Sequence, residues 1–382
     1  MARCHIALLQ LPAAQERQRR GTLMSLHGIL TSHSGGRPIF LVQPIESDSM
    51  FTRILVPTDG SDFSDSVLPF AAVLARRSDA ALELVHVHRY FPYSQGAPAH
   101  DRGLDNDEKA RTHHRIANTQ ARLAAYLGRD VSVTWLEGPP AHTLGEYVSK
   151  SGADLVVMTT HGRGGLSRVW LGSVADHMVR HSPVPVLLVR PTEAGVAWLE
   201  EPVLRRIVIP LDGSELAESI LERAVMLATP GETELALLQV VVPLMVASYP
   251  DLPSGIAFDR GDLERRQRAA ERYLERLADE LRANGFATTV IVAVDSHIAR
   301  AILDYAEDAD ADLIALATHA RGAPARFVLG SVADKVLRAA TMPLLMFRPA
   351  PNDITRLAET RAQVSRTIPA SGASRSTSAR TS

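Results

Sequence analysis

One sequence pattern occurs twice along this chain, and that repetition constrains the fold more than any other feature. The segment Arg53-Ile-Leu-Val-Pro-Thr-Asp-Gly-Ser has a close copy 153 residues later, Arg206-Ile-Val-Ile-Pro-Leu-Asp-Gly-Ser, and Leu171-Gly-Ser-Val-Ala-Asp returns unchanged 158 residues later, starting at Leu329. A repeat of about 150 residues has the length of a domain. We therefore expect two domains of the same fold, with a five-residue insertion in the loop at 243–260 of the second copy.

Within each copy, short apolar runs alternate with amphipathic stretches. In the first copy the predicted strands start at Arg53 and cover 81–88, 131–136, 153–159 and 184–189, and the predicted helices cover about 67–75, about 20 residues ending near Gly128, 139–149 and 174–181. A Pro- and Gly-rich loop is expected at 89–104. Alternation of this kind predicts an α/β fold, namely two doubly wound domains at 50–191 and 204–349, each with a five-stranded parallel sheet of order 3-2-1-4-5 flanked by helices.

The two ends of the chain lack such a pattern. Residues 1–49 show no sustained helical or strand period, and 350–382 are rich in Ser, Thr and Arg. Segments that have little apolar surface to bury do not fold alone. We expect both to be disordered and the first to be dispensable.

Composition excludes several classes of function. A net charge of −2 and a pI near 6.7 indicate neither a nucleic-acid partner nor a membrane surface. Cys4 is the sole cysteine, so no intrachain disulfide forms, and a reducing, cytoplasmic location is expected. The histidines have no recognisable ligand spacing, and His161 and His319 have no identifiable nucleophile and acid partners, so neither a metal site nor a catalytic residue is predicted.

Two polar features follow predicted strands that should be neighbours in the sheet. Asp59 ends the first strand, and a glycine-rich loop from Gly162 to Gly172-Ser173 follows the fourth. Doubly wound sheets bind ligands at the carboxyl ends of their strands, and helix N-termini bind phosphate. The loop lacks the Gly-Lys-Ser of a Walker A motif, so binding is predicted without rapid hydrolysis. Asp59 has a simpler alternative, an Asx turn before Gly60.

The segments Pro57-Thr-Asp-Gly-Ser, Glu137-Gly-Pro-Pro-Ala and Thr160-His-Gly-Arg-Gly-Gly-Leu-Ser, followed by Leu171-Gly-Ser-Val-Ala-Asp, resemble the universal stress protein family. The resemblance extends over about 50–191 and 204–349, and it implies a tandem member of that family. Its ATP-binding members carry Gly, two residues, Gly, nine residues, then Gly with Ser or Thr. Here Thr159 replaces the first glycine.

By this resemblance the ligand is an adenine nucleotide, ATP, alone or with Mg²⁺. Asp59 would contact the nucleoside and Val87 would line the adenine pocket. The phosphates would be surrounded by the residues of the loop and the following helix start, Thr159, Gly162, Arg163, Gly172, Ser173 and Val174. The implied role is a stress sensor or regulator that acts on an unidentified protein partner.

Two further expectations concern asymmetry and assembly. Ala320 and Ala323 stand where the first copy has Gly162 and Gly165, so the second phosphate loop is expected to be degenerate. The two domains are expected to pair through their fifth strands, as family homodimers do, and a homodimer of the whole chain stays open. Two alternatives also stay open, a nucleotide-free scaffold and a slow ATPase or autokinase.

Overall fold

The computed structural model describes residues 51–89, 99–160, 171–190, 202–243, 245–246, 257–258, 260–318 and 329–350, with the backbone alone for 99–106, 245–246 and 257–258. The first half contains β1 (Arg53–Pro57), α1 (Asp62–Asp65), α2 (Leu68–Ser78), β2 (Ala81–His88), α3 (Ala99–Leu127), β3 (Ser132–Glu137), α4 (Pro140–Ser151), β4 (Leu155–Thr159), α5 (Ser173–His181) and β5 (Val186–Val189). The second half contains β6 (Arg206–Pro210), α6 (Glu215–Glu218), α7 (Ile220–Leu227), β7 (Glu234–Val241), β8 (Met245–Val246), β9 (Ala257–Phe258), α8 (Arg260–Ala283), β10 (Ala287–Val294), α9 (Ile298–Asp308), β11 (Leu313–Ala317), α10 (Ser331–Ala339) and β12 (Leu344–Phe347).

Ten strands form one sheet in the order β10-β7-β6-β11-β12-β5-β4-β1-β2-β3. Within each half all neighbouring strands of this sheet are parallel. Each half therefore has its strands in the order third, second, first, fourth, fifth, with helices in the connections. The doubly wound α/β class predicted from the sequence is confirmed.

The halves meet where β5 pairs with β12, the one antiparallel junction of the ten-stranded sheet. Leu188 lies opposite Leu344, and Val186 lies opposite Met346. The predicted pairing of the two fifth strands is confirmed. Both strands are fully buried and apolar, so joining them removes two edges that would otherwise attract foreign strands.

The sheet separates two apolar cores, each of which runs through both halves. One core packs α2, α3, α7 and α8 on one face through side chains such as Ile116 and Leu274. The other packs α4, α5, α9 and α10 on the opposite face through side chains such as Met178 and Val336. Ile54, Leu55 and Val56 of β1 are all fully buried, because a strand covered on both faces alternates between two cores.

Two local predictions were wrong. The stretch predicted as a loop at 89–104 already contains the start of α3, which begins at Ala99 directly after Pro98 and reaches 29 residues. Gly103 made a loop the expected structure here. The helix nevertheless starts directly after Pro98, the last proline of the stretch, and proline is common where helices start. The predicted loop at 243–260 contains the antiparallel pair β8 and β9. The tails, 1–49 and 351–382, lie outside the described residues.

Candidate functional site

The turn after β1 is built around the carboxylate of Asp59. Its Oδ1 accepts hydrogen bonds from the Ser61 amide at 2.9 Å and the Ser61 hydroxyl at 2.5 Å, which is an Asx turn. Gly60 has φ +72°, a conformation that favours glycine. The Ser61 hydroxyl in turn accepts from the Ser64 amide and caps α1. The simpler alternative for Asp59, an Asx turn, is therefore observed. This turn fixes the position of the carboxylate at the rim of the sheet.

A buried polar layer supports this turn from below. The Thr58 hydroxyl contacts the Ser64 hydroxyl at 2.9 Å and accepts from the Gly60 amide at 3.0 Å. The ring of His86 on β2 lies 2.8 Å from the Thr58 carbonyl through Nδ1. A carbonyl only accepts, so Nδ1 of His86 carries the proton. These bonds hold the backbone on both sides of Asp59.

One backbone hydrogen bond joins the two residues that flank the predicted phosphate loop. The Gly172 amide donates to the Thr160 carbonyl at 2.8 Å, and the Thr160 amide donates to the Val189 carbonyl on β5 at 3.1 Å. Gly172 is the N-cap of α5, and Ser173, which is exposed, is its first residue. The start of α5 is thereby held against the end of β4, with its free N–H groups at the same rim.

The predicted site residues fall on three adjacent strand ends and one helix start. Val87 is the penultimate residue of β2, Asp59 follows β1, and Thr159 ends β4, with these strands side by side in the order β2-β1-β4. Gly172, Ser173 and Val174 lie where α5 begins. Thr159 is buried, and Val87 and Val174 pack partly against the core on the α5 side. Gly162 and Arg163 lie outside the described residues.

Arg115 is a residue that sequence analysis missed. It projects from the long helix α3 and donates through Nη1 to the Gly60 carbonyl at 3.3 Å, so a guanidinium stands beside the Asp59 turn. Thr58 and His86 were missed as well. The sequence carries no local signal for them, because their roles depend on how α3 and β2 lie against the turn.

Three carboxylates, Asp59, Asp62 and Asp65, lie near one another around the turn and α1. Burial raises the pKa of the Asp65 carboxyl above its usual range, and the charges of Asp62 and Asp59 act in the same direction. A hydrogen bond from the Thr119 hydroxyl at 3.1 Å and the charge of Arg122 oppose this shift. An anionic ligand group would avoid these carboxylates and favour the start of α5, where the helix dipole is positive.

The second half repeats the turn but not its support. Asp212 Oδ1 accepts from the Ser214 amide at 3.0 Å and its hydroxyl at 2.5 Å, and Gly330 is the N-cap of α10. However, Leu211 replaces Thr58. Tyr273, 158 residues after Arg115, donates to Glu218 Oε1 at 2.9 Å. Burial and the Asp212 charge raise the pKa of Tyr273. A phenol thus stands at the position where the first half has the Arg115 guanidinium, while Glu218 matches Asp65 of the first half.

The described residues lack two kinds of feature. They contain no group of three or more His, Cys, Asp or Glu side chains placed to hold a metal ion. Among the helices of these same residues, none has the length and apolarity needed to cross a membrane.

Comparison with known proteins gives the family. Residues 50–190 and 204–348 match the universal stress protein family. The chain belongs to this family. A Mycolicibacterium smegmatis universal stress protein is 29% identical over 306 residues, which is 78% of this chain and 97% of that protein. Universal stress protein MJ0531 of Methanocaldococcus jannaschii is 33% identical over 144 residues, 37% of this chain and 84% of its own length.

The structure also superposes on solved structures of this kind of fold. A crystal structure of a universal stress protein from Archaeoglobus fulgidus superposes with a TM-score of 0.57 at 20% identity, over 78% of this chain and 98% of that one. At this identity the likeness concerns the fold. Together with the two matched segments, it identifies a tandem universal stress protein whose two copies share one continuous sheet.

Proposed function

We propose that the first half of this universal stress protein binds an adenine nucleotide, ATP, at the carboxyl ends of β2, β1 and β4, and that the bound nucleotide regulates a protein partner. The observation that carries the proposal is the bond between Thr160 and Gly172, which holds the start of α5 beside the end of β4, next to the Asp59 turn. Helix N–H groups and a carboxylate then meet at one rim, as a phosphate and a nucleoside require.

The proposed placement of the nucleotide follows from charge. The phosphates lie at the start of α5, against Ser173 and the amides of the first helical turn, with Gly162 and Arg163 contributing from the loop. The nucleoside lies between Asp59 and Val87, where a carboxylate accepts hydrogen bonds from the sugar or base and an apolar side chain packs against adenine. Mg²⁺, where present, binds to the phosphates.

We further propose that only the first half binds nucleotide with useful affinity. In the second half, Ala320 and Ala323 replace two loop glycines. Tyr273 stands where the first half has the Arg115 guanidinium beside the turn. If the loop needs positive φ, each alanine costs about 1–3 kcal/mol, which is about 5- to 150-fold in affinity.

The test uses a matched pair of substitutions, Asp59→Asn and Asp212→Asn. Asparagine keeps an oxygen that accepts from the turn serine, so the turn survives and only the charge is lost. Isothermal calorimetry with ATP should give a stoichiometry near one per chain for the wild type. Asp59→Asn should weaken binding about 10- to 100-fold, through loss of a charged hydrogen bond, and Asp212→Asn should leave it unchanged.

The main alternative is a nucleotide-free scaffold, and Thr159 in place of the first motif glycine favours it. Chromatography of the supernatant after denaturing freshly purified protein shows whether nucleotide was carried along. No released nucleotide and no heat with ATP, ADP or AMP would refute the proposal in favour of the scaffold. Release of phosphate from ATP by the purified protein would indicate slow hydrolysis, whereas transfer of the γ-phosphoryl group to the protein itself, with release of ADP, would indicate autokinase activity.

A further inference from the structure

The ten-stranded sheet ends at β10, an edge strand with unusual composition. Its sequence is Ala287-Thr-Thr-Val-Ile-Val-Ala-Val294, eight residues without a charge or a proline. Within the part of the chain that the structure describes, no strand pairs with its outer side. Val294 is 40% exposed. Natural edge strands are usually blunted by charge, proline or a bulge, because an open apolar edge recruits another strand.

The direction of the backbone groups along β10 can be assigned. The amide of Asp295 donates inward to the Val241 carbonyl of β7 at 3.3 Å. Successive residues of a strand turn their N–H and C=O groups to opposite sides, so Val290, Val292 and Val294 point theirs outward. Thr288 belongs to the same outward series, and its carbonyl accepts from Arg282 Nε at 3.2 Å and Nη2 at 3.0 Å. Arg282 therefore covers one end of the edge, and the three valines form the rest.

We propose that this edge is a dimer interface, in which β10 pairs antiparallel with β10 of a second copy about a twofold axis at Val292. The outward groups of Val292 meet those of Val292 in the second copy, and Val290 meets Val294. In an antiparallel ladder such opposed residues exchange both of their backbone hydrogen bonds. The two ten-stranded sheets then form one sheet.

The side chains make this strand complementary to itself. On one face valine meets valine at every position of the register, and β-branched pairs across strands are favourable. On the other face the large Ile291 lies opposite the small Ala293 of the second copy, and the reverse holds across the axis. No like charges are opposed, because the strand is uncharged.

Two comparisons within the chain favour a second copy as the partner. The junction of β5 with β12 already joins two apolar fifth strands antiparallel in the same manner. The opposite edge, β3, is built differently. There Trp135, at the position matching Val292, stacks on His113 with ring centroids 3.6 Å apart, and Glu137 pairs with Lys109 at 3.6 Å. A bulky ring and a charged residue on β3 do not match themselves about a twofold axis.

The first test is the oligomeric state of the full chain by light scattering and sedimentation. The wild type should behave as a dimer of the 41.4 kDa chain. Val292→Pro removes an outward N–H that makes no strand pairing within the described residues, and proline is tolerated on an edge strand in that orientation. It should weaken dimerisation by about tenfold or more. Val292→Thr keeps the amide and should remain dimeric, as should Trp135→Pro on the opposite edge.

The second test fixes the register and does not depend on the stability of the proline variant. In a Cys4→Ser background, Val292→Cys places two thiols across the axis with Cα atoms about 5.5 Å apart, within the range of a disulfide. Mild oxidation should give a covalent dimer, whereas Val290→Cys should not cross-link to itself. A monomeric wild type, or a dimer that resists Val292→Pro and gives no Val292→Cys cross-link, would overturn the proposal.

Discussion

Arg77 and Ala228 lie in different halves of the chain, and a guanidinium nitrogen of Arg77 donates to the Ala228 carbonyl at 2.8 Å. The same guanidinium donates to the Leu227 carbonyl at 3.1 Å. Both carbonyls end α7, where backbone acceptors lack helical partners and the dipole favours a cation. Burial removes water from the Arg77 guanidinium and lowers its pKa. The two hydrogen bonds replace part of this lost hydration.

We expect Arg77→Met to lower the free energy of unfolding by about 1–3 kcal/mol, because two charge-assisted bonds between the halves are lost. Urea denaturation followed by circular dichroism measures the change. Arg76→Met is the adjacent control. Arg76 is exposed and contacts Tyr126 within its own half, and its loss should cost less than about 1 kcal/mol.

His177 should make stability depend on pH. Its ring stacks on His181 with centroids 4.2 Å apart, and burial, then the charges of His181 and His142, lower the pKa of His177. The unfolded chain therefore takes up this proton first as pH falls, and the free energy of unfolding decreases from the ordinary pKa of 6.5 downward. Stability gained from neutral His177 is fully present only above that pH.

We expect the urea midpoint of the wild type to fall more steeply between about pH 8 and pH 5 than that of His177→Gln. Lys335 occupies the matching position of the second half and has no imidazole. Lys335→Gln should therefore keep the wild-type slope. Equal slopes in His177→Gln and the wild type would show that His177 is not the group responsible.

Gly138 should not tolerate a side chain. Its φ is +144°, and an added Cβ would lie 2.5 Å from the Thr143 hydroxyl oxygen. We expect Gly138→Ala to lower the free energy of unfolding by about 1–3 kcal/mol. Gly128, at φ +67°, has open space around its missing Cβ, so Gly128→Ala isolates the backbone cost and should lose less. Part of the loss should return in Gly138→Ala combined with Thr143→Ala.

Thr58→Val should loosen the turn that holds Asp59. Valine has the same shape but leaves the Gly60 amide and the Ser64 hydroxyl without their bonds to Oγ1. An unsatisfied buried donor costs about 1–3 kcal/mol, which thermal denaturation measures. Thr289→Val removes an exposed hydroxyl bond to Glu234 and should change stability by less than about 0.5 kcal/mol. Similar losses in the two variants would mean that Thr58 does not support the turn.

The sequence predicts the strands well because parallel strands buried on both faces must be apolar at nearly every position. The runs at Ile54, Leu155 and Val186 each continue without a polar interruption, and no other element tolerates burial of that kind at this length. The repeat then predicted the elements of the second half, at an offset of 153 before the five-residue insertion and 158 after it. The fifth-strand junction was predictable for the same reason, since two apolar edges need partners.

Contacts that depend on how whole elements cross were not predictable. Arg115 is one of many charged residues on α3, and it is exposed like Arg111 and Arg122 on the same helix. Nothing local distinguishes the one that reaches Gly60. The His86 ring and the Thr58 hydroxyl likewise look like ordinary strand residues until β1 and β2 are in register. The sequence predicts which strand ends lie side by side at this rim, but not the polar layer beneath the Asp59 turn.

The antiparallel junction between β5 and β12 also decides which way the two crevices open. Strands of the first half all run one way and strands of the second half run the other way. Their carboxyl ends, with Asp59 on one and Asp212 on the other, therefore lie at opposite rims of the sheet. A macromolecule seated over one rim leaves the other open to solution. Each crevice therefore faces its own side of the molecule, while one continuous sheet connects the two.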